Sequence, residues 1–311
     1  MIRTLNFRAM GCEMLAALDS DSLQAERRLA SVLEWFENWE QTLSRFRPDS
    51  ELNELNRHSG QFWPVSQTLW RVFQAARQAE KRSQGLVTPS VLEALLQAGY
   101  ERSFSELAQV PVVVRTGSRQ AVNPATSTGP ILCNETTHSI CLPAGLGLDF
   151  GGVAKGWAAG QAVQKLRPYG PALVDAGGDI AVSGRQLDGS PWAIGVADPH
   201  QPENDLGTLL LVGGGVATSG IDYRRWLQDG VWKHHIIDPR TGEPAETDLL
   251  SVTVVGSTVM EAETAAKVVL ILGSREGLAW LKNQPGLEGL LILQDRQQIK
   301  TKKLSTYLWR N

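Results

Sequence analysis

After position 103 the chain breaks into short β-rich runs, each bounded by Gly, Pro, Asn or Asp. They are Pro111-Val112-Val113-Val114, Ser139-Ile140-Cys141-Leu142, Ala172-Leu173-Val174, Trp192-Ala193-Ile194-Gly195-Val196 and Thr208-Leu209-Leu210-Leu211-Val212. Before that point the spacing is helical. Between 19 and 46, Leu23, Leu29, Val32, Leu33, Phe36 and Leu43 recur at helical intervals after an Asp/Ser-rich start suited to N-capping. Positions 66–82 put Leu69, Val72, Phe73 and Ala76 on one face, and a short third helix is expected at 90–98. One helix is inserted among the strands at about 154–166. The end of the chain reads as a strand at 250–255, helices at 260–272 and 275–282, and strands around Leu290 and at 306–308. This order predicts an α+β fold, with a helical N-terminal layer packed on a mixed β-sheet core. With no internal repeat, low-complexity tract or linker, residues 1–311 read as one domain.

The 311 residues, 42% of them hydrophobic, suffice for one large core or two medium ones. A net charge of -3 supplies no general basic field, so sequence-independent binding to nucleic-acid phosphates is not expected. Cys12, Cys133 and Cys141 form no CxxC pair, which suits thiols in a reducing compartment. The opening residues lack the apolar stretch of a signal peptide, and no run is long enough to span a bilayer. The expectation is a soluble, cytoplasmic protein without membrane insertion.

Three stretches concentrate chemistry. Gly147-Leu148-Asp149-Phe150-Gly151-Gly152-Val153-Ala154-Lys155-Gly156 reads as a strand passing through a Gly pair into a helix. That arrangement aims backbone N–H groups and a positive dipole end at a ligand, with Lys155 adding a full charge. Asp175-Ala176-Gly177-Gly178-Asp179 joins two short strands, a place where glycines admit another group close to the backbone. The third is Thr218-Ser219-Gly220, read as a loop, together with His234-His235-Ile236-Ile237-Asp238-Pro239-Arg240-Thr241-Gly242. An imidazole at His235 can serve as general base at neutral pH, Asp238 can accept a proton or hydrogen bond, and Pro239 fixes the turn. His234 competes with His235, because neighbours in a strand point to opposite faces.

Taken together in order, these motifs resemble the FAD:protein FMN transferases, the ApbE family. The resemblance starts at Met10-Gly11-Cys12, continues through Ser44-Arg45-Phe46-Arg47-Pro48-Asp49-Ser50-Glu51-Leu52, and then takes in the three stretches above. It implies a transferase that cleaves FAD, attaches FMN through a phosphoester to a Thr or Ser of an acceptor flavoprotein, and releases AMP. It further implies that Phe46 stands in the place of an aromatic next to the flavin. Gly151, Gly152, Lys155, Gly177, Gly178, Asp179, Thr218, Ser219, Gly220, His235 and Asp238 would bind FAD. Catalysis would rest on His235, Lys155 and Thr218.

The family's metal motif, Ala-Asp-Ala-x-x-Thr, sets a carboxylate and a hydroxyl one helical turn apart for Mg²⁺. Here the matching stretch is Ala262-Glu263-Thr264-Ala265-Ala266-Lys267, so Glu263 remains as the expected metal ligand and Lys267 replaces the hydroxyl. Gly160 stands where an Asp is usual, and Val87-Thr88-Pro89-Ser90 replaces Phe-Asp-Pro-Thr. These losses of acidic side chains leave two rival readings: a non-catalytic FAD-binding homologue in which Lys267 replaces the metal, and a hydrolase that cuts FAD to FMN and AMP.

Overall fold

The structure, a computed structural model, describes residues 1–107 and 129–308. The strand expected at 111–114 lies outside them. The chain divides into two compact units. One comprises Met1–Glu37, Lys155–Asp222 and Glu246–Asn311, and the other Asn38–Ala154 and Tyr223–Ala245.

The first unit holds an eight-stranded sheet. Its spatial order is Ile2–Ala9, Cys12–Asp19, Ala172–Ala176, Asp179–Val182, Gly214–Gly220, Leu249–Gly256, Glu288–Leu293 and Gln298–Lys300. The α+β class holds, and every pairing within the sheet is antiparallel. The first 19 residues are therefore strands and not part of a helical layer. Met10 and Gly11 both have positive φ, 49° and 70°, which closes a two-residue hairpin turn with Ala9 opposite Cys12.

On the strand Trp192–Asp198 burial alternates, as period-two geometry requires. Trp192, Ile194 and Val196 thereby enter one core with Leu173, Ile180, Val182, Val216, Val255 and Leu290 from the sheet. Each such side chain contributes about 1.5–3 kcal/mol relative to exposure.

Two helices of this unit carry site residues. Ala154–Leu166 lies where the sequence puts it. Val259–Lys282 begins at Thr258, whose Oγ1 accepts the Glu261 N–H at 3.2 Å, and runs along the strands Gly214–Gly220 and Leu249–Gly256. The two helices expected here meet within this run at Gly273, whose φ of 78° is not helical, and Asp248 accepts the Ser274 N–H at 2.8 Å where the second begins. The strand expected at 306–308 is instead a 3-10 turn, Lys302–Thr306, followed by a single bridge from Leu308 to Leu209. Its Lys-Lys-Leu-Ser-Thr run has no apolar alternation to hold a strand on the sheet.

The long N-terminal helix is Ala25–Leu43, with Leu29, Val32, Phe36 and Leu43 buried. Leu23 precedes it and is fully exposed, and Leu33 is half exposed at the edge of the apolar face, so neither belongs to the core.

In the second unit Ser50 caps the helix Glu51–Arg57 and Ser66 caps Gln67–Arg82. Each cap's hydroxyl accepts an N–H three residues on, a device worth about 1 kcal/mol. Leu69, Val72, Phe73 and Ala76 are buried as the spacing predicts. A three-stranded sheet of Phe62–Pro64, Ser139–Cys141 and Leu132–Asn134 and a hairpin of Arg225–Gln228 with Val231–His234 complete the unit's strands with the short pair at Ile237–Asp238 and Glu243–Pro244.

Candidate functional site

In the first unit the turn between Ala172–Ala176 and Asp179–Val182 is made by Gly177 (φ 65°) and Gly178 (φ 92°). Gly177 is required twice over, because a Cβ there would also come within 2.7 Å of Cys12 Sγ. Asp175 Oδ1 accepts the Gly178 N–H at 2.7 Å, and burial pushes the Asp175 carboxyl above its ordinary range. Asp179 starts the next strand with its carboxylate buried and ion-paired to Lys155, from the first turn of Ala154–Leu166.

A second ion pair lies in the same cluster. Glu263 is buried on Val259–Lys282, and its Oε1 accepts from Lys267 Nζ at 3.0 Å, one turn along the helix. The other oxygen, Oε2, is buried with no hydrogen-bond partner among the described residues. It lies over Gly156, where an added Cβ would meet it at 2.4 Å. Burial pushes the Glu263 carboxyl up to about 7, and the Asp179 carboxylate pushes the same way, while Lys267 and Lys155 oppose them.

Thr218 joins this group through its backbone, with its N–H donating to Gly178 O at 3.2 Å and its Oγ1 2.9 Å from Thr253 Oγ1. Thr218, Ser219 and Gly220 end the strand Gly214–Gly220 and do not form a loop, because they stay in register with Leu249–Gly256. Thr218 is exposed and Ser219 buried, as alternation on a strand dictates. The first unit thus assembles Lys155, Gly177, Gly178, Asp179, Thr218 and Glu263. Lysine ammonium groups largely withdrawn from water, beside backbone approached closely through glycine, suit a phosphate-bearing ligand.

The second unit holds the other expected residues. Phe46, partly exposed, packs against Tyr100 with ring centroids 5.5 Å apart, and Tyr100 stacks on Trp226 at 5.0 Å. The Arg45 guanidinium lies over both Phe46 (4.1 Å) and Tyr100 (4.7 Å), and its Nε is 2.8 Å from Asp149 Oδ2. Sequence position alone does not mark Arg45, Tyr100 and Asp149 as site residues. One Arg of two in the stretch Ser44-Arg45-Phe46-Arg47 carries no periodic signal of its own, and only the fold brings Tyr100 beside it.

The segment before Ala154–Leu166 is not a strand, and its N–H groups are largely engaged. Gly151 N–H donates to Asp149 Oδ1 at 2.8 Å, and the Val153 and Ala154 N–H groups donate to Phe150 O at 2.9 and 2.8 Å. Gly151 and Gly152 therefore serve first as a turn in this structure, because the Asp149 side chain and the Phe150 carbonyl take up donors that the sequence left for a ligand.

Of the two histidines, His234 ends its strand with both ring nitrogens engaged. Nε2 donates to Ala245 O at 3.1 Å and Nδ1 accepts the Ile236 N–H at 3.3 Å, while burial lowers its pKa. His235 lies just past the strand. Asp238 is committed to its own turn: its carboxylate receives Arg240 Nη2 at 2.7 Å and the Arg240 N–H at 2.9 Å, and its carbonyl receives the Gly242 N–H at 2.8 Å.

A divalent metal does not fit the residues present. Mg²⁺ takes about six oxygens at about 2.0–2.1 Å. Among the described residues no three His, Cys, Asp or Glu side chains gather as a metal cluster. Glu263, the expected ligand, already holds an ammonium on one oxygen, and Asp179 beside it is taken by Lys155.

Comparison with known proteins agrees with this assembly of motifs. The ApbE family model matches residues 10–291, and the chain belongs to the ApbE family. It is 32% identical over 268 residues to a Vibrio cholerae protein named FAD:protein FMN transferase, covering 84% of this chain and 76% of that one. A Treponema pallidum protein of the same name is 29% identical over 304 residues, covering 92% and 82%. Among solved structures, the ApbE protein of Thermotoga maritima superposes over the whole of both chains with a TM-score of 0.88 at 24% identity. The flavin transferase ApbE of Vibrio cholerae does so over 99% of each with a TM-score of 0.79 at 24% identity. No helix among the described residues is long and apolar enough to cross a membrane.

Proposed function

We propose that this chain is an FAD:protein FMN transferase acting as one functional domain over residues 1–311. The observation that carries the reading is the family match running through both units, from residue 10 to 291, with relatives of that name covered over most of their length. In the reaction, a Thr or Ser hydroxyl of an acceptor flavoprotein attacks the FMN phosphorus of FAD. The new O–P bond forms as the bond from that phosphorus to the bridging oxygen breaks, and AMP leaves with that oxygen. His235 accepts the hydroxyl proton; its imidazole type suits general-base work near neutral pH, and the engagement of both His234 nitrogens supports it over its neighbour.

Charge that builds on the phosphoryl oxygens needs preorganised donors and cations. Lys155 and Thr218 take that role, with Gly177, Gly178, Asp179, Ser219 and Gly220 shaping the surface on which FAD lies. Phe46 is the aromatic residue assigned to the flavin, and Gly151, Gly152 and Asp238, which hold turns in the second unit, are assigned to FAD by the same resemblance. Mg²⁺ is the cofactor the family resemblance implies, but the Glu263 and Lys267 side chains do not suit it. A cytoplasmic setting is part of this reading, motivated by three cysteines with no CxxC spacing.

Chromatography of the products from purified protein and FAD, with and without a Thr-bearing acceptor peptide, tests the reading. AMP released only with the peptide, and matched by flavin on the peptide, is the expected result. Free FMN and AMP without the peptide would mean a hydrolase, and intact bound FAD a binding protein.

A further inference from the structure

Lys155, Asp179, Glu263 and Lys267 set two ammonium groups against two carboxylates, all four largely or wholly withdrawn from water. Each of the two carboxyl groups already faces an ammonium, so a dication entering the cluster would meet two fixed positive charges. Lys267 is the less enclosed partner of its pair, with its side chain 13% exposed against 1% for Glu263. Glu263 anchors it from one turn earlier in the same helix, and the absence of a side chain at Gly156 makes room for the anchoring carboxylate.

We propose that Lys267 Nζ is itself the cation that receives the diphosphate of the nucleotide, so that substrate binding by this chain needs no divalent metal. This rests on the transferase reading only in naming FAD as the nucleotide. An ammonium carries three donors; with one on Glu263, two remain for phosphate oxygens, and the partly desolvated setting strengthens each contact. Its place is fixed by the helix and by the 3.0 Å contact to Glu263, so little reorganisation is needed when the ligand arrives. The alternative is that Lys267 only neutralises a buried carboxylate.

The two are separated by the paired substitution Glu263→Gln with Lys267→Met, which removes both charges together and leaves no unpaired one behind. Affinity for FAD and for inorganic pyrophosphate is measured by calorimetry in EDTA and again in Mg²⁺, alongside thermal stability and direct titration of the natural protein with Mn²⁺. The expected result is natural affinity unchanged by EDTA, no Mn²⁺ uptake, and a loss of roughly 10-fold or more for both ligands in a stably folded double variant, not restored by Mg²⁺.

Unchanged affinity in the double variant, or natural FAD binding that collapses on chelation and returns with Mg²⁺, would overturn the inference and leave the transferase reading standing. Pyrophosphate bound in a Lys267-dependent way without any FAD binding would do the reverse. If the double variant fails to fold, Lys267→Gln takes its place, and the same loss of pyrophosphate affinity is required of it.

Discussion

The two units bury positive charge in different ways. In the first, Lys155 and Lys267 each face a carboxyl group, and the one buried oxygen left without a hydrogen-bond partner among the described residues is Oε2 of Glu263, not a donor of either lysine. In the second, Arg45 meets the single carboxylate of Asp149 and spends its remaining surface on the rings of Phe46 and Tyr100, with Nη2 buried and without a hydrogen-bond partner among the described residues. A charge closed by charge is electrostatically complete, and its partners can be removed together at little cost. A cation held between rings keeps an open donor and depends on one partner, so its removal strands Asp149.

The reaction step gives the largest expected effect. With the general base assigned to the second unit, His235→Ala should lower transfer by roughly 10²- to 10⁴-fold and leave FAD affinity nearly unchanged, as single-turnover kinetics with a parallel binding titration would show. Comparable loss of folding or of FAD binding would make His235 structural.

The contrast in burial comes next. Arg45→Met leaves the buried Asp149 carboxylate unpaired and should cost about 3–5 kcal/mol in urea denaturation. The paired change at Glu263 and Lys267 should be far milder. If the two cost the same, the distinction between the units fails.

A finer test compares two glycines one turn apart on Ala154–Leu166. A Cβ at Gly156 would lie 2.4 Å from Glu263 Oε2, whereas at Gly160 it would meet Val259 Cγ1 at an ordinary 3.5 Å. Gly156→Ala should therefore destabilise by about 1–3 kcal/mol through overpacking. Gly160→Ala should stabilise by up to about 1 kcal/mol through helix propensity. Reversal of the two signs would mean that Glu263 does not rest over Gly156.

The smallest effect concerns Asp175. Its folded-state pKa is raised by burial, so the stability tied to its protonated form is present below its unfolded pKa and is lost as pH rises through the folded value. Asp175→Asn keeps an acceptor for the Gly178 N–H and should raise the melting temperature near pH 7, with the gap closing as pH falls toward 3. A gap that widens on acidification would contradict the direction of the shift.

Much of this architecture is legible in the sequence, because local rules and tertiary packing agree. Ser66 before an apolar face at Leu69, Val72, Phe73 and Ala76 marks a capped helix, and Gly177-Gly178 between Asp175 and Asp179 marks a strand turn. The reading fails where one local signal is strong enough to hide another. Met10-Gly11-Cys12 reads as a motif, yet its positive φ angles make it a hairpin turn, and the Asp/Ser-rich start at 19 pulls the helix forward over the end of a strand. The charge cluster was visible only in part: Glu263 and Lys267 are one turn apart in any helix, but only the fold brings Asp179 and Lys155 to the same place. For Arg45 the partners Tyr100 and Asp149 are remote in sequence, and no spacing rule connects them.

The most direct test of the central claim is the intact mass of an acceptor peptide after incubation with the protein and FAD, run beside a copy in which the target Thr is replaced by Ala. Transfer predicts a gain equal to a phosphoester-linked FMN on the Thr peptide alone. An unmodified Thr peptide, whether FAD is left whole or cut to free FMN and AMP, would contradict it.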